Sequence, residues 1–157
     1  MTDIRKALAT DATEVHALRK LAILSQCACA YDAELLRLWT DGELSERFSQ
    51  AVQDSFYVIT SNDKIVASGA VDLVSGQVDA IFVHPAHFRQ GLGKRIMGFL
   101  EQRALDHGLT QLKLDATLNA ADFYRSCGFS GDTVSIYHSP RGIELACVPM
   151  LKVLQRK

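Results

Sequence analysis

The sequence predicts an α/β fold: a mixed, mostly antiparallel sheet of about seven strands with one central parallel pair, flanked by helices. Three observations lead there. Residues 56–60, 65–74 and 78–83 are consecutive β-branched, apolar segments, with turn residues at Ser61-Asn62-Asp63-Lys64 and Ser75-Gly76, which reads as an antiparallel meander. Beyond Pro85 the apolar period changes to that of a helix and then returns to two, the pattern of a crossover between parallel strands. Between these regimes lies Val83-His84-Pro85-Ala86-His87-Phe88-Arg89-Gln90-Gly91-Leu92-Gly93-Lys94, a basic, glycine-spaced loop that opens directly into an amphipathic helix.

Each element has a local reason. Asp3 to Leu8 alternates and reads as a short strand. Asp11 to Gln26 carries Val15, Leu18, Leu21, Ala22 and Leu24 at helical spacing, with Asp11 placed to cap it and Glu14 three residues on. Ala33 to Trp39 and Leu44 to Asp54 read as helices broken near Asp41-Gly42. After the three-strand meander, Leu92, Ile96, Phe99, Leu100 and Ala104 form one helical face that ends at Gly108. Gln111 to Ala116 is a strand, and Asn119 to Cys127 is a short helix. Asn119 stands in its cap position, Asp122 in the capping-box position, and Gly128-Phe129 forms a Schellman stop. Thr133 to Tyr137 and Ile143 to Val153 make a closing hairpin across Ser139-Pro140-Arg141-Gly142.

Residues 1–157 fit a single domain with one core. Hydrophobic residues are 48% and charged residues 22%, as in ordinary globular proteins. The net charge of −1, with Lys and Arg spread along the chain, gives no footprint for duplex nucleic acid or an anionic membrane. No apolar run approaches the roughly 18 residues of a membrane span, and the N-terminal residues lack a signal-peptide core, so a cytoplasmic protein is expected. Cys27, Cys29, Cys127 and Cys147 lack metal-ligand spacing and are expected to be free thiols, with no metal bound.

The glycine-spaced loop carries the first chemical inference. A strand-loop-helix junction aims several backbone N–H groups and the positive end of a helix dipole at one point. Phosphate or pyrophosphate is the natural occupant, and Gly91 and Gly93 let it approach the backbone closely. The G-x4-G-K-[ST] pattern of nucleotide-binding loops is missing, which disfavours a nucleotide-binding protein.

The element order and two motifs resemble the GNAT (Gcn5-related N-acetyltransferase) superfamily. The first motif, Gln/Arg-x-x-Gly-x-Gly/Ala after a Val-x-Pro strand end, is matched by Phe88-Arg89-Gln90-Gly91-Leu92-Gly93 after Val83-His84-Pro85. The second, a strand followed by Asn-x-x-x-x-Tyr and a Gly-Phe stop, is matched by Leu112-Lys113-Leu114-Asp115 and then Asn119 to Phe129, with Tyr124 at the tyrosine. The element order matches over nearly the whole chain, whereas the motifs lie within residues 78 to 129. Phe88 departs from the Gln/Arg of the pattern, and Arg89 is the neighbouring basic residue.

The resemblance implies an acetyl-CoA-dependent N-acetyltransferase. Phe88, Arg89, Gln90, Gly91, Leu92, Gly93 and Lys94 would bind the cofactor diphosphate. Ile81, Phe82 and Val83 would form a splayed strand edge that pairs with pantetheine, and an N–H near Val83 would polarise the thioester carbonyl. Tyr124 would be the general acid beside the sulfur; it also reads as a buried aromatic with a satisfied hydroxyl. Period two places Gln77, Asp79, Ile81 and Val83 on one face. Asp79 would be the base that orders a deprotonating water, or else a solvated carboxylate. Asn119 caps its helix on either reading, and a contact to the cofactor is implied by resemblance. His16, His84, His87, His107 and His138 read as structural or surface residues. Trp39 reads as core or lid, with Tyr31 beside it where family members build the acceptor pocket, and Asp32, Asp41 and Glu43 as carboxylates that would favour a cationic acceptor. The partner is an amine acceptor, small-molecule or peptide, and a homodimer is expected by analogy with the β-rich ends of this fold. A non-catalytic acyl-CoA-binding module is the alternative reading.

Overall fold

The computed structural model describes residues 2–139 and 142–155. In chain order the elements are β1 (Thr2–Lys6), α1 (Ala12–Gln26), α2 (Ala33–Thr40), α3 (Glu46–Ser55), β2 (Phe56–Ser61), β3 (Lys64–Val71), β4 (Val78–Val83), α4 (Leu92–Asp106), β5 (Gln111–Thr117), α5 (Ala121–Ser126), β6 (Ser135–His138) and β7 (Glu144–Val153). Strands β1-β2-β3-β4 form one antiparallel ladder and β5-β7-β6 another. The two halves meet between β4 and β5 through a single parallel bridge, Gln77 to Lys113, where Lys113 N–H donates to Gly76 O at 3.0 Å. Past that bridge the expected central parallel pair opens, leaving β4 and β5 as the two walls of a cleft.

Both faces of the first ladder are covered, which is why β3 is buried from Ile65 to Val71 without alternation. Helix α4 places Ile96, Met97, Leu100 and Ala104 against Tyr57, Ile59, Val66, Ala67 and Val78. On the opposite face α1 and α3 bring Val15, Leu18 and Val52 against Phe56, Val58, Ile65 and Ala70. Each fully buried aliphatic contributes roughly 1.5–3 kcal/mol, so these two layers hold the central strands rigidly behind the cleft.

One irregularity in β4 shapes everything near it. Ala67 pairs with Val83 and Ser68 with Phe82, but Ala70 pairs with Asp79, so Gly69 stands opposite both Ala80 and Ile81. Ala80 takes a left-handed φ of 58° in this bulge, and the wholly buried Ser68 hydroxyl donates to its carbonyl at 2.9 Å. Gly69 is required there, because a Cβ would lie 2.9 Å from both Ile81 Cδ1 and Ile96 Cγ1. The extra residue reverses the alternation. Ile81 and Val83 join Val78 against the α4 core, while Ala80 and Phe82 pack toward α1. The shared face expected for Gln77, Asp79, Ile81 and Val83 is therefore broken between Asp79 and Ile81.

Other departures have equally local causes. Strand β3 stops at Val71 instead of Val74 because the Asp72 carboxylate accepts from Val74 and Ser75 N–H and starts a turn. Asp11 takes the expected N-cap position of α1, but its carboxylate makes no cap bond and instead accepts from Leu8 N–H and from Arg5 at 2.7 Å. Asn119 does not cap α5, since that position falls to Ala120, and Asp122 pairs with Arg125 at 2.6 Å. Helix α3 starts at Glu46 because Ser45 accepts from Phe48 N–H. Strand β6 is shifted to Ser135–His138, and Pro140 and Arg141 of the expected turn lie outside the described residues. The Gly128-Phe129 stop forms as expected: Gly128 N–H reaches Arg125 O and Phe129 N–H reaches Tyr124 O, both at 3.0 Å.

Because Ser68 is the side chain that ties down the bulge, Ser68→Ala is expected to lower stability by about 1–3 kcal/mol, the cost of an unsatisfied buried acceptor. Urea denaturation of the two proteins measures it.

Candidate active site

The glycine loop is built as a donor nest. After β4, His84 Nδ1 accepts from Ala86 N–H, fixing a short 3₁₀ turn over Pro85–His87. Arg89 (φ 65°) and Gly91 (φ 75°) are both left-handed, which turns the chain sharply into α4. The first intrahelical bond of α4 runs from Arg95 N–H to Gly91 O, so the N–H groups of Gly91, Leu92, Gly93 and Lys94 have no acceptor within the helix. A Cβ on Gly91 would meet nothing within 4 Å, whereas one on Gly93 would approach Phe123 Cζ to 3.0 Å. Gly91 is thus demanded by backbone conformation and Gly93 by packing against α5.

The edge of β4 continues from this nest. His84 N–H donates to Val66 O on β3, so by ladder alternation the N–H and C=O of Val83 point to the open side. Gln26 Nε2 of α1 reaches the Val83 carbonyl at 3.4 Å, and the Val83 N–H faces the groove.

Tyr124 is held from several directions. It is 9% exposed, its ring lies edge-on to Phe123 (5.2 Å between centroids) and Phe129 (6.0 Å), and the Schellman stop locks the helix that carries it. Lys152 ties the C-terminal carbonyl of that helix, Cys127 O, to Glu101 on α4. Among the described residues the Tyr124 hydroxyl has no hydrogen-bond partner, and burial pushes its pKa well above the ordinary phenol range, with the neighbourhood of Cys127 and Asp79 adding to the effect. It is a protonated donor at any physiological pH.

Two cavities meet at this tyrosine. A groove of about 690 Å³ is lined by the loop residues His87, Phe88, Arg89, Gly91, Leu92, Gly93 and Lys94, together with Ile81, Val83, Asn119 and Phe123. A smaller cavity of about 210 Å³ lies between β4 and β5 under α1, with Asp79, Phe82, Asp115, Tyr31 and Trp39 in its wall. Gln26, Ile81, Ala120 and Tyr124 line both. Asp79 is in contact with solvent, yet it sits in the concavity where the walls strip part of its water. That desolvation raises its pKa, with Asp115 and Asp72 adding to the rise and a hydrogen bond from Gln77 opposing it.

Most of the residues singled out in the sequence converge here. Tyr124, Ile81, Val83, Phe88, Arg89, Gly91, Leu92, Gly93, Lys94 and Asn119 line the groove. Gln90 does not; its side-chain oxygen lies 3.3 Å from His87 Nδ1. Phe82 is turned by the bulge into the smaller cavity. Trp39 and Tyr31 form part of that cavity, but Asp32, Asp41 and Glu43 are not in its wall: Asp32 caps α2 and Asp41 pairs with Arg37. Gln26, Phe123, Asp115 and Tyr137 were not singled out. Only Asp115, a carboxylate two residues before the end of an alternating strand, carried a visible signal. Cys27, Cys29, Cys127 and Cys147 are free, with Cys27 and Cys147 buried. No group of three or more His, Cys, Asp and Glu converges as a metal site among the described residues, and no helix there is long and apolar enough to cross a membrane.

A strand edge, a helix-terminal nest and a buried tyrosine meet at this opening, and comparison with known proteins identifies the family. Residues 53–131, half of the chain, match the acetyltransferase (GNAT) domain family. The chain belongs to that family and is an acetyltransferase. A GCN5-related N-acetyltransferase from Rhodopseudomonas palustris superposes with a TM-score of 0.88 at 24% identity, covering 98% of this chain and 96% of that one. The PaiA N-acetyltransferase from Thermoplasma acidophilum, solved with coenzyme A, gives 0.77 at 14% identity, with 98% and 99% covered. The ribosomal-protein-S18-alanine N-acetyltransferase from Escherichia coli gives 0.66 at 22% identity, with 100% and 96% covered. These likenesses establish the shared fold. No curated protein matches the chain in sequence.

The raised Asp79 pKa has a stability consequence with a definite sign. The folded state holds the Asp79 proton more tightly than the unfolded chain, so Asp79 weakens the fold as pH rises from its unfolded value through its folded one. The penalty is absent below the unfolded carboxylate pKa and grows as pH rises above it. Asp79→Asn is therefore expected to raise Tm at pH 7, with the difference shrinking as pH falls toward 4. Thermal melts across that range check it.

Proposed function

We propose that the protein moves the acetyl group of acetyl-CoA to a primary amine by direct attack. The carrying observation is the continuity of three features: a helix-terminal donor nest, an unpaired strand edge, and a protonated tyrosine hydroxyl at the mouth of a second cavity. In this reading the N–H groups of Gly91 to Lys94 hold the diphosphate, with the α4 dipole and the Arg89 and Lys94 charges behind them. Pantetheine lies along β4 from Val83 to Ile81 as an added strand, and Asn119 and Phe123 form the opposite wall. The thioester then reaches the junction of the cavities, with the Val83 N–H donating to its carbonyl oxygen.

The acceptor enters from the smaller cavity. Its ammonium gives up a proton to water beside Asp79, the nitrogen attacks the carbonyl carbon, and the C–N bond forms. The nitrogen of the tetrahedral intermediate releases its second proton to water, collapse breaks the C–S bond, and the thiolate takes a proton from Tyr124, which recovers one from solvent. Burial keeps Tyr124 protonated at neutral pH, so its hydroxyl proton is available to the leaving sulfur.

The test separates an enzyme from an acyl-CoA-binding module. Tyr124→Phe is expected to lower kcat by about 10²–10⁴ while the acetyl-CoA dissociation constant stays within about twofold, since the ring packing is retained. Steady-state thiol release and calorimetry measure the two quantities. Unchanged turnover removes Tyr124 from the mechanism, and an absence of turnover in the unaltered protein with retained binding favours the binding module.

A further inference from the structure

The smaller cavity has a one-sided charge lining. About 210 Å³ is below the volume of sites that hold drug-sized ligands, so the acceptor is compact. Its wall contains two carboxylates, Asp79 on β4 and Asp115 on β5, and among the described residues lining it there is no Lys, Arg or His. The two acids face each other across the same splay that opens beyond the Gln77–Lys113 bridge. An α-carboxylate or any other anion on the acceptor would meet two like charges and no counter-charge.

The aromatic side of the cavity is fixed in place. The Tyr31 hydroxyl donates to Ala146 O of β7 at 2.5 Å and accepts from Leu118 N–H at 3.0 Å, pinning the segment after α1 across the top of the cleft. Trp39 packs edge-on against Tyr31, 5.9 Å between centroids, and Tyr137 of β6 completes the wall. Such faces attract a cation and cover a short apolar linker equally well. A single ammonium at the Tyr124 end of the cavity neutralises one carboxylate and leaves the other unpaired.

We infer that the acceptor is a small diamine without a carboxylate, its reacting nitrogen at Asp79 beside Tyr124 and its second ammonium at Asp115 between the aromatic walls. This inference rests on the acetyl-transfer reading and specifies its acceptor. Asp115 acts as a specificity residue: it contacts the distal ammonium and takes no part in the bond changes, which remain C–N formation and C–S cleavage at the proximal nitrogen.

A four-carbon series tests it: putrescine, n-butylamine and γ-aminobutyrate are primary amines with a second cation, no second charge and an anion. With the full chain and acetyl-CoA, kcat/KM is expected to favour putrescine over n-butylamine by about tenfold or more, with γ-aminobutyrate the poorest. Asp115→Asn is expected to abolish the preference for putrescine over n-butylamine and to leave acetyl-CoA affinity unchanged by calorimetry. The last measurement shows that the variant is folded. Equal rates for putrescine and n-butylamine, a preference for γ-aminobutyrate, equal losses on all three amines in Asp115→Asn, or acetyl-CoA binding without turnover of any of them would each overturn the diamine assignment and leave acetyl-CoA binding intact. Failure of the unaltered protein to bind acetyl-CoA overturns the parent reading as well.

Discussion

Apart from the bulge at Ala80 and Ile81, strand β4 is paired with β3 along its length, and past Gln77 no strand among the described residues pairs with its other side. A buried backbone N–H or C=O without a partner is costly, so an interior strand left open in this way creates a demand for another strand-like partner. The chain leaves the open end of β4 at Val83 through the glycine loop, and α4 returns it to the start of β5 beside the bridge, from where the two strands part. Groove, cavity and donor nest are all consequences of this single missing ladder. Filling it with a full parallel β4–β5 pairing would complete a conventional sheet and erase the site.

Burial assigns different characters to the ionisable groups around the opening. Tyr124 is enclosed by Phe123, Phe129 and the α4 core, so desolvation holds it neutral. Asp79 loses only part of its hydration and retains contact with the cleft, so its carboxylate is made more basic without being sealed away. The proposed mechanism uses this contrast, with a neutral Tyr124 as proton donor and an ionisable Asp79 as the group that orders water beside the amine. The desolvation of Asp79 is an energetic cost borne at the site and offset by the two packed layers behind it.

How much of this the sequence carries depends on the range of the interactions. The loop and α4 were legible because Pro85, Gly91 and the apolar face Leu92, Ile96 and Leu100 are local signals, and Tyr124 because its motif lies within ten residues of the Gly128-Phe129 stop. The bulge at Ala80 was not legible. It depends on Ser68 and Gly69 of another strand, and alanine gives no hint of a left-handed φ. That one residue misplaced the faces of Asp79 and Phe82. Caps failed at Asp11 and Asn119 for a similar reason, since Arg5 recruits the first carboxylate from a strand, and Ala120 takes the second position in the chain geometry. Asp115 escaped notice because its importance comes from facing Asp79 across a gap between strands separated by a whole crossover.

The central claim is that the opened β4 edge and the α4 terminus form one continuous binding surface for coenzyme A. Backbone amide chemical shifts followed during titration with coenzyme A address it most directly. The account predicts large, saturating shifts at Val83 and from Arg89 to Lys94, with Asn119 and Phe123 following at the same ligand concentration. Saturable binding whose shifts fall elsewhere, leaving Val83 and Gly91 to Lys94 unmoved, would contradict it.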